Sequence, residues 1–117
     1  MADAPRRAEA VWTGSLTKGS GEVSLVTSGA AGPLPVTWAS RTARSEGKTS
    51  PEELVAAAHA SCFSMALGAQ LGGAGLTPDK IETNAAVTLA KTDGGFAVTI
   101  FFQRDAELFV PIGVLGH

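Results

Sequence analysis

The chain has 117 residues, a single cysteine and a formal net charge of -2 at pH 7, with 9 Lys and Arg against 11 Asp and Glu. That length gives one domain with room for a real but small core, and the scattered basic residues, with no run longer than Arg6-Arg7, exclude a nucleic-acid footprint. One cysteine excludes an internal disulfide framework and a multi-cysteine metal site, and it fits a reducing cytosol.

The N-terminal stretch MADAPRRAEA has arginines with no apolar run behind them, so it does not read as a secretory signal. Residues 1–8 are expected to form a flexible tail. From Glu9 the chain alternates through Ala10, Val11, Trp12 and Thr13 as a first strand. Lys18-Gly19-Ser20-Gly21 is a turn signal, after which Glu22 to Thr27 resumes a strand. Gly29, Gly32, Pro33 and Pro35 mark a second turn. Val36-Thr37-Trp38-Ala39-Ser40 is then predicted as a third strand, and Arg41 to Lys48 as a polar surface loop. Short strands joined by turns make an antiparallel meander.

The strongest signal lies in TSPEELVAAAHASCFSMALGAQLGG, Thr49 to Gly73. Ser50 suits an N-cap, Pro51 suits the first helical position, and Glu53 completes a capping box. Gly72-Gly73 suits the helix end. No residue from Leu54 onward to that end carries a fixed charge. Leu54, Ala58, Cys62, Met65 and Ala69 fall at helical spacings, and Ala57, Ala60, Phe63 and Leu67 are apolar on other faces. A helix apolar nearly all round is expected to be buried on most sides. The uncharged run Leu54 to Pro78 raises a membrane span, but His59, Ser61, Ser64, Gln70, its glycines and its alanine-rich make-up argue against one. A helix ~33 Å long is too apolar for one small sheet to cover, so a second subunit is expected alongside it, as a homodimer.

Ile81 to Lys91 reads as a strand, with Ala85, Val87 and Leu89 alternating against Asn84, Ala86 and Thr88. Asp93-Gly94-Gly95 is a hairpin turn, and Phe96 to Gln103 the returning strand. The remainder, RDAELFVPIGVLGH, has apolar residues without a clear partner. The predicted fold class is α+β in a single domain spanning 1–117: an N-terminal antiparallel β-meander, a long buried central helix and a C-terminal β-hairpin.

Cys62 is the residue with chemistry to offer. Free cysteine often acts only as a small buried hydrophobe. An unperturbed thiol with pKa ~8.5 is only about 3% thiolate at pH 7, and Cys62 lies too far into the helix for the N-terminal dipole to help. A reactive thiol there needs a cation brought by another part of the fold, and Arg41 and Arg44 are the candidates. Glu52 or Glu53 could orient that arginine, although acids in a first helical turn also serve the dipole. Glu52 is ~15 Å of helical rise from Cys62 and cannot touch it on its own helix. His59 stands one turn before Cys62, a spacing that seldom gives a productive Cys–His pair. Trp12 and Trp38 read as core or interface residues, and Gly19-Ser20-Gly21 as a turn with no helix behind it.

The A-x-W-x-G start, KGSGEVS, VTWASR and above all PEEL followed by AAHAxCFSMAL resemble the osmotically inducible protein C (OsmC) family, over roughly Ala8 to Thr99. These are thiol-dependent hydroperoxide reductases related to the organic hydroperoxide resistance proteins. The resemblance implies an intertwined cytoplasmic homodimer with sites at the subunit interface and no cofactor or metal, and neither membrane nor nucleic acid as partner. By that resemblance Cys62 is the peroxidatic cysteine, Glu52 positions the catalytic arginine, and Arg41 is its best match, with Arg44 still open. The substrate would be a small hydroperoxide and the reductant an external thiol. After about Ile100 the resemblance fades: a further helix, a second, resolving cysteine and a final strand would be implied, and a truncation or altered reading frame is the expectation for the tail. The competing expectation is a catalytically impaired relative, or a non-enzymatic dimer that binds an apolar ligand with Cys62 as packing.

Overall fold

The computed structural model describes residues 4–92, 95–104 and 108–115, with side-chain surroundings through residue 90. Its element order is β1 (Ala8–Thr13), β2 (Ser20–Leu25), β3 (Leu34–Val36), α1 (Trp38–Thr42), α2 (Pro51–Gly73), β4 (Thr83–Thr92), β5 (Gly95–Arg104) and β6 (Leu108–Leu115). Two compact units divide after Ser50. The architecture is α+β with antiparallel sheets, as the alternation and capping signals predicted.

In the first unit β1, β2 and β3 form an antiparallel sheet in sequence order. Trp12 pairs with Gly21, and Gly21 in turn pairs with Val36. The indole needs that glycine. A Cβ there would stand 2.6 Å from Trp12 Cε3 and 3.0 Å from both Val36 Cγ2 and the Val11 carbonyl oxygen. The indole N–H of Trp12 donates to the Ser15 carbonyl at 3.2 Å, fastening the first turn. Arg7, expected in a flexible tail, is tied down: its N–H donates to Thr27 Oγ1 at 2.6 Å, and its carbonyl accepts from Val26 and Thr27. Ala8 already belongs to β1.

The expected third strand is shorter than the alternation suggested. β3 ends at Val36, and Trp38–Thr42 is a short helix, α1. Thr37 is its N-cap: Thr37 Oγ1 accepts from Ser40 N–H at 3.0 Å while Ser40 Oγ accepts from Thr37 N–H at 2.9 Å. This reciprocal box satisfies two backbone donors that a strand would have had to pair with a neighbour. Arg41 therefore sits in the last turn of a helix rather than at the start of a loop.

In the second unit α2 runs from Pro51 to Gly73, with Glu52 and Glu53 in its first turn, where acids complement the dipole. It packs along β4. Thr83, Ala85, Val87 and Leu89 on β4 are half-buried while Asn84, Ala86 and Thr88 are exposed, the alternation read from sequence. On the helix Ala56, His59, Ala60, Phe63, Ser64, Leu67 and Leu71 are half-buried, one face at helical spacing. Thr83 Oγ1 donates to the Ala60 carbonyl at 3.0 Å and lies 2.6 Å from Ser64 Oγ, which locks the start of β4 to the middle of the helix.

Burial of α2 is far from complete. Within this chain Glu52 is its buried residue, and Met65 is 75% exposed. Among the described residues it is the one helix long and apolar enough to cross a membrane by length and composition.

The C-terminal strands form a second antiparallel sheet in the order β4-β5-β6. Gly95, expected within the turn, opens β5 opposite Thr92, and Asp93 and Gly94 lie outside the described residues. The tail that had no predicted partner is β6, paired with β5 from Arg104↔Leu108 to Val98↔Leu115. The register shifts between Ile100 and Phe101, where Phe101 faces Pro111. Proline cannot donate to a ladder, and β6 is an edge strand, the position that tolerates it.

Candidate functional site

Cys62 is a free, exposed thiol midway along α2. The exposed side of the helix carries Val55, Ala58, Cys62, Met65 and Ala69. Their spacing alternates three and four residues, so they form one stripe along the helix. The opposite side is the one seated on β4. Two features fix which side Cys62 takes: the half-buried apolar run centred on Phe63, and the Ala60–Ser64–Thr83 hydroxyl cluster. His59 belongs to the half-buried side, away from the stripe that carries the thiol.

Glu52 lies in the first turn of the same helix, with 7% of its surface exposed. Ten residues separate it from Cys62, about 15 Å of rise and roughly 80° around the helix axis. Glu53 is exposed. A buried carboxylate requires polar partners to offset its desolvation, and this singles out Glu52 over its neighbour as a group held in place.

The two candidate arginines differ sharply in setting. Arg41 is half-buried, and its guanidinium lies over the Trp38 ring, 6.0 Å from the centroid. That contact is within cation–π range and narrows the side chain's freedom. Arg44 is exposed, beyond the end of α1. The loop that follows turns through Glu46 at φ 49° and Gly47 at φ 82°.

Arg41 belongs to the first unit, and Glu52 and Cys62 to the second. Sequence reasoning missed the ordering of Arg41 by α1. The signal was present as Thr37 and Ser40, three residues apart, ahead of the arginine. Elsewhere on α2, Phe63, Ala66, Leu67 and Gln70 line an open cavity of about 250 Å³, mostly apolar in its walls. Among the described residues no cluster of His, Cys, Asp and Glu is arranged to hold a metal ion.

An α+β chain with a central helix that presents a lone exposed thiol, behind a PEEL start, matches a known family. The family model described as OsmC-like protein covers residues 44–111, and the chain belongs to that family. Peroxiredoxin OsmC of Escherichia coli (strain K12) is 47% identical over 106 residues, which is 91% of this chain and 72% of that protein. Peroxiredoxin OsmC of Shigella flexneri gives the same identity and coverage. The family match runs to residue 111, past Ile100, where the resemblance was expected to fade; the first half of β6 falls inside it.

Proposed function

We infer that this chain is a thiol-dependent peroxidase that reduces organic hydroperoxides and hydrogen peroxide in the oxidative and osmotic stress response. The observation that carries this reading is a free, exposed Cys62 on the central helix of a chain 47% identical to proteins named Peroxiredoxin OsmC. In the proposed reaction the Cys62 thiolate attacks the terminal peroxide oxygen. A sulfur–oxygen bond forms, the O–O bond breaks, and the alkoxide leaves as the alcohol after taking a proton. The resulting sulfenic acid condenses with one external thiol to a mixed disulfide and water, and a second thiol releases Cys62. Arg41 is assigned to favouring the thiolate and the developing alkoxide charge, and Glu52 to orienting Arg41.

We assign the working form to a homodimer. The support is the outward stripe of α2 and the exposure of Val11 (67%) and Trp12 (42%) on β1, apolar surface that a second copy would remove from water. A reducing compartment such as the cytoplasm would supply the thiol.

The test is peroxide loss with cumene hydroperoxide and dithiothreitol, compared between wild type and Cys62→Ser. Turnover confined to wild type is expected, and equal rates would defeat the enzymatic reading. The alternative, a non-enzymatic dimer binding an apolar ligand, is favoured by the cavity at Phe63, Ala66, Leu67 and Gln70. It predicts that Cys62→Ser retains every measurable property of the wild type.

A further inference from the structure

Ser40, within the VTWASR stretch, is one of two buried polar or charged residues among those described, with 7% of its surface exposed. Its hydroxyl stands at the centre of three polar contacts. It accepts from Thr37 N–H at 2.9 Å, and its own proton can go to the Thr37 carbonyl at 3.0 Å or the Thr49 carbonyl at 2.8 Å. Its backbone N–H donates to Thr37 Oγ1 at 3.0 Å. A hydroxyl has one proton, and the Thr49 carbonyl is the nearer acceptor.

That bond ties α1 to the far side of the polar loop that follows it. Thr49 is itself held: its N–H donates to the Pro35 carbonyl at 2.9 Å, and it bridges to Val36 in parallel register. One side chain thus clamps the cap of α1, the strand before it and the residue two positions ahead of Pro51, where α2 begins. Arg41 is the next residue after the clamp, and its guanidinium rests over Trp38, the first residue of the same short helix. A helix of this length does not hold its shape by its own hydrogen bonds. Its geometry depends on the box and on the tie to Thr49.

We propose that Ser40 is a positioning residue for Arg41: by tying α1 to Thr49, its buried hydroxyl sets where the arginine is presented to the reacting thiol. The proposal rests on the reading that Arg41 favours the Cys62 thiolate, and it adds the device that makes the arginine's position definite. Ser40 touches neither substrate nor thiol in this role. It acts through its neighbour.

The test is a double-mutant cycle on the full chain, reading the pH midpoint for alkylation of Cys62 by iodoacetamide in wild type, Ser40→Ala, Arg41→Ala and the double variant. An opposite charge within a few Å moves a titration by about one to three pH units. Arg41→Ala should therefore raise the midpoint, and Ser40→Ala should raise it by less. In the Arg41→Ala background Ser40→Ala should change nothing further, an interaction that a merely structural role would not produce. Ser40→Thr keeps the hydroxyl and should restore the wild-type midpoint. Thr37→Ala breaks the reciprocal half of the box, should shift the midpoint in the same direction, and carries the test if Ser40→Ala loses its far-ultraviolet circular dichroism. An unmoved midpoint in Arg41→Ala defeats the reading beneath the proposal. A moved midpoint in Arg41→Ala defeats the proposal alone if Ser40→Ala and Thr37→Ala leave it unmoved, or if Ser40→Ala shifts it equally with and without Arg41.

Discussion

Thr83→Val removes one oxygen atom from the seam between α2 and β4 while keeping the volume and branching of the side chain. In the wild type Thr83 Oγ1 donates to the Ala60 carbonyl at 3.0 Å, and Ser64 Oγ lies 2.6 Å away. Ser64 can also donate to the Ala60 carbonyl at 2.9 Å. Two hydroxyl protons therefore make two bonds, and the variant keeps one of them, because Ser64 turns to Ala60. The net loss is one hydrogen bond at a half-buried site, about 1 kcal/mol. With an unfolding entropy of about 2.1 cal/mol/K per residue, such a loss lowers Tm by about 4 °C in a chain of this size. Thr88→Val makes the same chemical change on the exposed side of the same strand, and is expected to stay within about 0.5 kcal/mol. Urea unfolding followed by circular dichroism measures both. The reasoning fails if the two variants have the same midpoint, because the cluster would then contribute nothing to holding α2 on β4, and the outward aim of Cys62 would need another cause.

Gly21→Ala should lower stability by about 1–3 kcal/mol by overpacking, since the new Cβ would fall 2.6 Å from Trp12 Cε3. Tryptophan fluorescence shifted to the red at lower urea than in wild type would show it. Met65→Glu places a charge in the middle of the outward apolar stripe of α2, where Met65 is 75% exposed in this chain, and should shift sedimentation from the proposed dimer toward monomer. An unchanged sedimentation coefficient would remove that stripe from the interface. Glu52→Gln keeps shape and removes charge at a buried position. It should lower kcat/KM for cumene hydroperoxide about tenfold, the equivalent of one charge-assisted hydrogen bond, with little change in the circular dichroism spectrum.

Much of this fold was legible because local and global signals agreed. Ser50, Pro51 and the paired glutamates announced a helix that begins at Pro51, and Gly72-Gly73 announced its end at Gly73. The alternation of Ala85, Val87 and Leu89 gave the inward side of β4. Where the signals conflicted, the reading went astray. Val36 to Ser40 alternates like a strand, yet a Thr and a Ser three residues apart can satisfy each other's backbone donors, and α1 formed instead. The tail from Leu108 to Leu115 is rich in apolar residues, but nothing local named their partner, which the structure supplies as β5. The uniform apolarity of α2 predicted a helix buried on most sides. It could not say by what, and this chain supplies cover on one side only.

The site was legible in part. A single cysteine in an uncharged helix draws attention by itself, and the PEEL start marked Glu52. The different settings of Arg41 and Arg44 depended on a cap that composition does not reveal. With α1 in place, Arg41 is half-buried over Trp38 and Arg44 lies exposed past the helix end.

The most direct test of the account is to treat the reduced protein with one equivalent of cumene hydroperoxide in the presence of dimedone and to locate the adduct by mass spectrometry. The account predicts a sulfenic-acid adduct on Cys62, formed as the hydroperoxide is converted to its alcohol. Conversion of the hydroperoxide with Cys62 still a free thiol, or no conversion at all, would contradict it.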